Sequence, residues 1–513
     1  ITQTFSRRVI EHHMGQKKPL SLIFAIPDHP WLKSADKAAV RIAMTVGAAG
    51  DHLGRLLEVT SEDDLNTDQP QVKLMERVGN IYSNIAIGAD LSSAKNLNSN
   101  GGLCSPGVKL HGAGFIVTPL EAQQLGLGIS VGLEEFIREY RNGRDLAQSP
   151  RNVMVIDLYP LLENEVRARF PRVYQHVLTR VKPERDHNNM EFRRTHWWWF
   201  GATHEMYRSF TNGVARFIAT PETSKHRFFV FLDGGLRADN KLINIGLEDA
   251  CSLAILSSCT HVVWALAKGG LLEDRPVYVK TQCFDPFPFP DPSDEVKSRL
   301  RDLGERLDAH RKARQAEHPD LTMTGMYNVL ERLRELDADP ATAPLTDKER
   351  AIHEKGLVSV LRQLHDEIDA ATFEAYGWPA DLTDEQILER LVALNKERAE
   401  EEKRGLVRWL RPDYQIPRFA KGAAKEEQVE ADLDMPVAAA GKAPAWPAKL
   451  PDQIKLVREE LMRASGPVSS GDVSRVFKGG KKRAEKVSEL LEILAMHGQA
   501  QKTGERYFMT ERG

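Results

Sequence analysis

The sequence predicts a multidomain protein that combines α/β and α+β architecture, and three observations lead to this fold class. The chain has 513 residues, enough for two to four domains. It opens with a helical pattern followed by two mostly apolar runs of strand length, which is how a doubly wound sheet with buried strands ends. Further on, apolar residues recur every three or four positions in a charged background, which is typical of amphipathic helices.

Residues 1–48 predict the end of a Rossmann-like sheet. Residues 1–14 have helical spacing, and the runs Leu20–Ile26 and Ala38–Val46 are of strand length. Two strands cannot bury a core alone, so we expect other strands to complete the sheet. Because the first residue is Ile1 rather than Met and stands within the helical pattern, the sequence favours a fragment that lacks its N-terminal part.

The remaining chain divides by composition. Residues 49–290 mix short strands and helices, and within them the apolar run Ala250–Ala267 predicts one buried helix, since its hydroxyl groups and His261 do not suit a membrane span. Residues 291–411 predict a helical domain, and residues 412–450, rich in Ala, Pro and charge, a flexible linker. Residues 451–513 predict three helices and a hairpin, the pattern of a winged helix-turn-helix.

The charge balance excludes a uniformly basic protein that coats nucleic acid. Lys and Arg total 70 against 73 Asp and Glu, so an anion-binding surface must be local. The four cysteines form no C-x-x-C pair, so neither a zinc site nor a disulfide framework is indicated, and no metal site is expected. No signal peptide opens the sequence, and a reducing cytoplasm fits best.

Six segments in a fixed order together resemble one family, the MmeI-like class I S-adenosylmethionine-dependent DNA methyltransferases that modify adenine at its exocyclic amine. The matching segments are Phe24-Ala-Ile-Pro-Asp-His-Pro-Trp31, Ala39-Val-Arg-Ile-Ala-Met-Thr-Val46, Tyr140-Arg-Asn-Gly-Arg-Asp-Leu146, Arg216-Phe-Ile-Ala-Thr-Pro221, Phe284-Asp-Pro-Phe-Pro-Phe-Pro290 and Ala375-Tyr-Gly-Trp-Pro379. The resemblance implies double-stranded DNA as partner, S-adenosyl-L-methionine as cofactor, and a role in restriction–modification or phage defence. It also implies that residues 1–48 end a catalytic domain and that residues 49–290 recognise the target.

The departures from this family are as informative. The sequence has no Asn/Asp-Pro-Pro-Tyr/Phe loop, since it contains no Pro-Pro dipeptide. The glycines of Gly112-Ala-Gly114 and Gly126-Leu-Gly128 do not stand between a strand and a helix in a βαβ unit, so they do not predict a cofactor loop. We therefore assign no cofactor-binding residue, and expect this chain to serve mainly DNA recognition and to be inactive alone.

Trp31 is the one candidate for direct contact with the chemistry. A base-modifying enzyme holds its flipped nucleotide against aromatic or apolar faces, and the resemblance places an aromatic residue on this loop, facing the catalytic loop. The alternative is a tryptophan that closes the end of the strand as part of the core.

Cations interleaved with aromatic residues predict DNA contacts in residues 167–227, where twelve Lys and Arg stand against five Asp and Glu. Arg193 and Arg194 could reach guanine edges, whereas at least one residue of Trp197–Trp199 should be core. Lys225 and Arg227 lie in a loop suited to phosphate. Arg141 and Arg144 would project from the turn at Asn142-Gly143, although an ordinary surface turn explains them equally well.

Lys481, Lys482 and Arg483 stand at the start of the predicted third helix of the C-terminal domain, the part of a winged helix that enters the major groove. Many winged helices bind protein instead. For the whole chain, the rival hypothesis is a non-enzymatic DNA-binding specificity subunit that acts with a separate catalytic chain. A helical scaffold that retains a degenerate methyltransferase remnant is a third alternative, and it predicts no affinity for DNA.

Overall fold

The computed structural model describes residues 4–30, 41–64, 71–272 and 275–420 as continuous segments. Beyond residue 450 it describes residues 453, 456–458, 461, 468–470, 473, 481–496, 500–503 and 506–509. The chain forms two compact units, Ile1–Glu426 and Glu427–Gly513.

An N-terminal helix and a four-stranded sheet open the first unit. They are α1 (Thr4–Met14), β1 (Leu20–Pro30), β2 (Arg41–Ala49), β3 (Gly54–Asp63) and β4 (Gln71–Gly79). The strand order is β2-β1-β3-β4, in which β1 and β3 are parallel and the other two pairs antiparallel. The predicted helix and both predicted strands are thus present, and the sheet continues beyond residue 48 through β4.

A small hydrophobic core lies under this sheet. Leu22, Ala25 and Leu56 from the strands meet Ile81 and Ile85 from the segment after β4. The buried residues of β1, among them Leu22, Ala25 and Ile26, do not alternate regularly with exposed ones. The pairing of β1 with β2 shifts its register between Leu22 and Phe24, and such an irregularity changes which face of the sheet a side chain occupies.

Two further four-stranded sheets form the centre of the first unit. One has the order β10-β9-β12-β5 and the other β11-β7-β8-β6. Their strands are β5 (Cys104–Pro106), β6 (Ile116–Val117), β7 (Ile137–Arg141), β8 (Val153–Ile156), β9 (Arg216–Pro221), β10 (Val230–Asp233), β11 (Arg237–Ala238) and β12 (Leu242–Ile245). Short helices connect them: α2 (Pro119–Gln124), α3 (Gly143–Ala147), α4 (Glu163–Arg169), α5 (Pro171–Arg180), α6 (Lys182–Asp186), α7 (Glu191–Thr195) and α8 (Glu205–Thr211).

The apolar run predicted as one buried helix is two helices, α9 (Ala250–Ser257) and α10 (Cys259–Lys268), bent by 60°. Ser258 lies at the break, where its hydroxyl donates to the carbonyl oxygen of Ile255 at 2.7 Å and lies 2.6 Å from the hydroxyl of Thr260. Side-chain hydrogen bonds of this kind compete with the helix and often bend it. Among the described helices, none is by itself long and apolar enough to cross a membrane, although this bent pair together meets the length and composition required.

The helical region does not form a separate core. After the hairpin β13 (Gly270–Leu272) and β14 (Arg275–Val277) come α11 (Lys280–Cys283), α12 (Asp294–Glu317), α13 (Met323–Ala338), α14 (Asp347–Gly356), α15 (Val358–Tyr376) and α16 (Asp384–Lys403). One hydrophobic cluster runs from Leu91 in the sheet region to Leu391 in α16 and Tyr414 beyond it. The predicted divide at residue 291 therefore separates two parts of one core.

The Phe/Pro-rich segment of residues 284–290 joins these two parts. Phe284 and Phe287 are fully buried. The side-chain amide of Asn100 donates to the carbonyl oxygens of Phe284 and Phe287 at 2.9 and 2.8 Å, and that of Asn395, on α16, donates to Pro286 at 2.6 Å. Prolines remove backbone donors, so side-chain amides from both parts satisfy the carbonyls instead.

The predicted flexible linker begins with a helix, α17 (Pro412–Phe419). Tyr414 and Gln415 are buried, and the amide of Gln415 donates to the carbonyl oxygens of Ser99 and Gly101, both at 2.9 Å. Residues 412–419 are therefore anchored to the first unit, contrary to the prediction. Residues 421–450 lie outside the described part.

The second unit has its own small core, formed by apolar residues such as Val457, Leu461, Val473, Leu490 and Leu494. Its described elements are β15 (Val468–Ser469), α18 (Lys481–Met496), β16 (Ala500–Thr503) and β17 (Arg506–Met509). The predicted hairpin is present as β16 and β17. Val468 and Ser469 form β15, which pairs with β17 and adds a third strand to the hairpin.

Candidate nucleic-acid interface

The structure does not describe the side chains of four residues that were predicted to contact DNA or its bases. Trp31 falls in the undescribed segment 31–40. Lys481, Lys482 and Arg483 form the first residues of α18, as the position of the predicted third helix requires, but their side chains are not described.

The tryptophan run is part of the core. Trp197 and Trp198 are buried, and Trp199 is partly buried. The indole nitrogens of Trp198 and Trp199 both donate to the carbonyl oxygen of Leu161 at 2.9 Å. This confirms the expectation that at least one tryptophan packs inside, and it fixes the segment that carries Arg193 and Arg194 to the centre of the unit.

Arg193 forms a hydrogen bond with a residue far away in the sequence. Its Nη2 donates to Nε2 of His111 at 2.9 Å. The backbone N–H of Lys109 in turn donates to Nε2 of His204 at 2.9 Å. Because both Nε2 atoms accept hydrogen bonds, the neutral imidazoles carry their proton on Nδ1. We call Lys109, His111, Arg185, Arg193 and His204 the Arg193 cluster.

Arg185 is the buried cation of this cluster, with 1% of its surface exposed. Its Nη2 donates to the carbonyl oxygens of Leu110 at 2.7 Å and Trp199 at 3.3 Å, whereas its Nε and Nη1 have no partner. Burial, followed by the nearby charge of Arg193, lowers the pKa of Arg185. Arg185 is therefore a buried cation whose hydrogen bonds go to carbonyls rather than to a carboxylate.

The two histidines of the cluster do not add charge at neutral pH. Burial lowers the pKa of His111, and Arg193, Lys109 and Arg185 lower it further. Burial likewise lowers the pKa of His204. The charge of the cluster therefore rests on Lys109, Arg185 and Arg193, opposed near Arg185 by Glu184. This excess of positive charge favours an anion at the surface.

Exposed cations continue the cluster. Arg194 is exposed and donates to the carbonyl oxygen of Asn188 at 2.6 Å. Arg172 and Arg180 are exposed on α5, and Lys182 pairs with Asp186 at 2.7 Å. Within the described part of the chain, no carboxylate lies within ion-pair distance of Lys109, Arg193 or Arg194. Lys109 and Arg194 are exposed, whereas Arg193 is half-buried and its Nε is buried without a partner.

Arg141 and Arg144 flank the start of a helix rather than the tip of a turn. Asn142, predicted to start a turn, caps the N-terminus of α3, where it exchanges hydrogen bonds with Asp145 of 3.0 and 2.8 Å. Arg141 forms an ion pair with Glu139, so its charge is compensated. Arg144 is exposed on α3 and makes no ion pair with any described residue.

The loop that contains Lys225 and Arg227 packs against the protein rather than standing free. Lys225 is exposed, but its Nζ donates to Oδ1 of Asn328, on α13, at 2.6 Å. Arg227 is buried, and it donates to the hydroxyl of Thr220 at 2.8 Å and to the carbonyl oxygens of Pro221 and Pro276. Burial lowers its pKa to about 10. The predicted phosphate contact of Arg227 is corrected to a structural role.

Sequence reasoning missed four members of the cluster, namely Lys109, His111, Arg185 and His204. Lys109 and His111 come directly before Gly112-Ala-Gly114, a segment that sequence analysis considered only as a cofactor loop. The sequence does contain one indication of these two residues, because Lys109 and His111 stand beside a glycine turn in a segment that lacks carboxylates.

The two glycine pairs that sequence analysis weighed as cofactor loops lie elsewhere than between a strand and a helix. Gly112 and Gly114 lie in the loop before β6, and Gly126 and Gly128 follow α2, so neither pair links a strand to a helix. Nor do any described His, Cys, Asp and Glu residues group in a way that could hold a metal ion.

The fold is shared with a solved restriction–modification enzyme. The chain is similar to the type IIL restriction–modification enzyme MmeI, solved in complex with DNA, at 18% identity and a TM-score of 0.54 over 74% of this chain and 46% of that one. At this identity the similarity concerns the fold alone. The chain thus spans about half the length of MmeI.

A second solved structure, the type IIG restriction endonuclease BpuSI, aligns with 73% of this chain and 46% of its own at 11% identity. Its TM-score of 0.27 is too low to carry an argument. No protein-family model and no curated protein matches the sequence.

Proposed function

We propose that this chain is the DNA-recognition part of a site-specific, cytoplasmic DNA-modifying enzyme of a restriction–modification or phage-defence system. The observation that carries the proposal is the Arg193 cluster. Cations without carboxylate partners gather there on a fold shared with an enzyme solved in complex with DNA. Lys109, Arg193 and Arg194 would bind phosphates or guanine edges, with Arg144 as a further candidate.

The finer assignment rests on the resemblance of the six sequence segments to MmeI-like methyltransferases. It proposes methyl transfer from S-adenosylmethionine to the exocyclic amine of adenine in the intact enzyme. No described residue is assigned to that cofactor, so no catalytic step is assigned to the described part of the chain. Trp31 remains the proposed contact to a flipped base.

The second unit is proposed to add a further DNA contact. A three-stranded sheet and a long helix whose first residues are Lys481, Lys482 and Arg483 agree with a winged helix-turn-helix. Its N-terminal cations would enter the major groove.

The binding test measures the affinity of the 513-residue chain for a pool of duplex DNA at increasing salt concentrations. We expect log K to fall linearly with log [salt], and duplexes retained at about 150 mM salt to share a sequence. Absence of binding at 50 mM salt would overturn the proposal, and binding that enriches no sequence would remove site specificity from it.

The alternative is a non-enzymatic specificity subunit that acts with a separate catalytic chain. The missing cofactor and Pro-Pro motifs favour it, because they leave the chain without its own chemistry. The encoding DNA directly upstream of the Ile1 codon separates the two. A Gly-rich cofactor turn and an Asn/Asp-Pro-Pro-Tyr/Phe loop in the same frame support the methyltransferase, and a start codon without them supports the subunit.

A further inference from the structure

Two aliphatic side chains stand in solvent on the loop of residues 126–132, the tip loop. Ile129 is 79% exposed and Val131 94% exposed. A single exposed aliphatic residue needs no explanation. Two of them on one short loop contribute nothing to the hydrophobic core, and such a pair is stabilising only when a partner covers it.

The tip loop is held firmly in place. The carbonyl oxygen of Gly126 accepts hydrogen bonds from the N–H groups of Ile129 at 3.0 Å and Ser130 at 2.8 Å. Gly128 and Gly132 have φ of +81°, a conformation that L-residues rarely adopt, and these turns project the segment between them outward. Leu127 packs against the main core, and Leu133 is fully buried. The exposed side chains are therefore presented by an ordered backbone.

Arginines flank the tip loop on both sides. The Nη1 of Arg172 donates to the carbonyl oxygen of Gln124 at 3.4 Å, just before the loop. At its end, Arg169 Nη2 lies 3.3 Å from the position that a Cβ would take on Gly132. Two exposed carboxylates, Glu134 and Glu135, follow Gly132, so the formal charges around the tip balance.

The tip loop is continuous with the Arg193 cluster through α5. Arg172 lies in the first turn of α5, and Arg180 is its last residue, directly before the segment that carries Arg185. A helix of ten residues spans about 15 Å, roughly the rise of four to five base pairs. This length is within the reach of one bound duplex.

We infer that Ile129 and Val131 form a wedge that inserts between base pairs of bound duplex DNA. This inference rests on the proposed function. Proteins that bend DNA unstack a base step with an aliphatic side chain, and the lost stacking is offset by contacts that the bend permits. Arg169 and Arg172 hold the phosphates on either side of the opened step. Because the local charges balance, the wedge strengthens binding through apolar contact rather than through charge.

The experiment uses duplexes selected by the wild-type chain, with 2-aminopurine placed at successive steps to report unstacking. The test variant of the 513-residue chain is Ile129→Ser with Val131→Ser. The matched control is Val360→Ser with Leu406→Ser, which removes two exposed aliphatic side chains elsewhere. We expect 2-aminopurine fluorescence to rise at one step with the wild type and the control, and not with the test variant. The test variant should bind about tenfold more weakly with an unchanged salt dependence.

The outcomes separate this inference from the function on which it rests. If the wild type binds DNA but no step brightens, or the test variant unstacks the same step equally, the wedge is wrong and DNA binding stands. The same result is expected if the tip loop docks on a protein. If the wild type does not bind DNA, the proposed function fails, and the wedge fails with it.

Discussion

The buried carboxylate of Asp157 accepts hydrogen bonds from both terminal nitrogens of Arg208 at 2.7 Å, although 51 positions separate the two residues. Arg237 donates from Nε to the same carboxylate at 2.7 Å. Burial alone would raise the pKa of Asp157, but the two arginines lower it below its ordinary value. This three-residue network joins β11 and α8 to the end of β8, and it stabilises the sheet region that carries the Arg193 cluster.

Replacing Asp157 with Asn should be strongly destabilising. The substitution keeps the size of the side chain but leaves two largely buried guanidinium groups without a counter-charge, a change that typically costs about 3–5 kcal/mol. Urea denaturation should show this loss in the free energy of unfolding. Asp186→Asn, at an exposed pair with Lys182, is the control and should cost less than about 1 kcal/mol. Equal effects of the two substitutions would contradict the role of the network.

Gly304→Ala should destabilise the chain although alanine is the better helix former. A Cβ on Gly304, in α12, would lie 2.1 Å from the carbonyl oxygen of Ala250, in α9. The two helices would have to separate, at about 1–3 kcal/mol, against a gain of about 1 kcal/mol in helix propensity. Thermal unfolding measures the balance. The exposed Ser298→Ala in the same helix is the control, and a Gly304→Ala chain as stable as that control would mean that α9 and α12 do not share one core.

Periodicity predicted the helices of residues 291–411 because one side of each faces the core. Leu361, Leu364 and Leu391 are buried at the spacing that the sequence shows. The same method could not find the break at Ser258, since α9 is buried on nearly all sides and its sequence has no polar face. Composition also failed for α17, where Tyr414 and Gln415 are held by contacts that no local pattern encodes.

For the candidate site, local charge predicted Arg193 and Arg194 as DNA contacts, which stays a prediction, and it gave no indication of their surroundings. Arg193 and His111 are 82 positions apart, and their hydrogen bond depends on how the central sheets fold. For Arg227, by contrast, the sequence predicted a phosphate contact that the structure does not support. Its loop has the composition of a phosphate site, but three protein oxygens accept its hydrogen bonds. A sequence pattern predicts which groups are present, whereas burial decides whether a ligand can reach them.

Acidification should destabilise the first unit through two buried histidines. His261 and His365 each meet a tyrosine hydroxyl through Nε2, at 2.9 Å from Tyr278 and Tyr327 respectively, and burial lowers the pKa of each to about 3. A histidine in the unfolded chain, with its ordinary pKa of 6.5, binds a proton that the folded chain does not. Stability therefore falls as pH drops from about 6.5 towards 3.

Between pH 7 and pH 5 each of these histidines should lower the free energy of unfolding by about 2 kcal/mol. Asp369 opposes them by about 1 kcal/mol, because burial raises its pKa to about 6 and the folded chain takes up that proton first. Urea midpoints at the two pH values measure the net loss. His261→Gln should reduce the pH dependence relative to the wild type, and an undiminished dependence would exclude His261 as a source.

Neutralising Arg193 should weaken DNA binding through charge. If Arg193 binds a phosphate, Arg193→Gln removes about one released counterion, so the slope of log K against log [salt] should become less steep by about 1. Arg193→Lys keeps the charge and should keep the slope, while Arg350→Gln, at an exposed pair with Asp347, is the control for loss of a distant cation.

Loss of Arg193 should also raise the pKa of His111, because the arginine lowers it, and NMR titration of the imidazole measures that change. A raised His111 pKa with an unchanged salt slope would mean that Arg193 positions the histidine but does not contact phosphate.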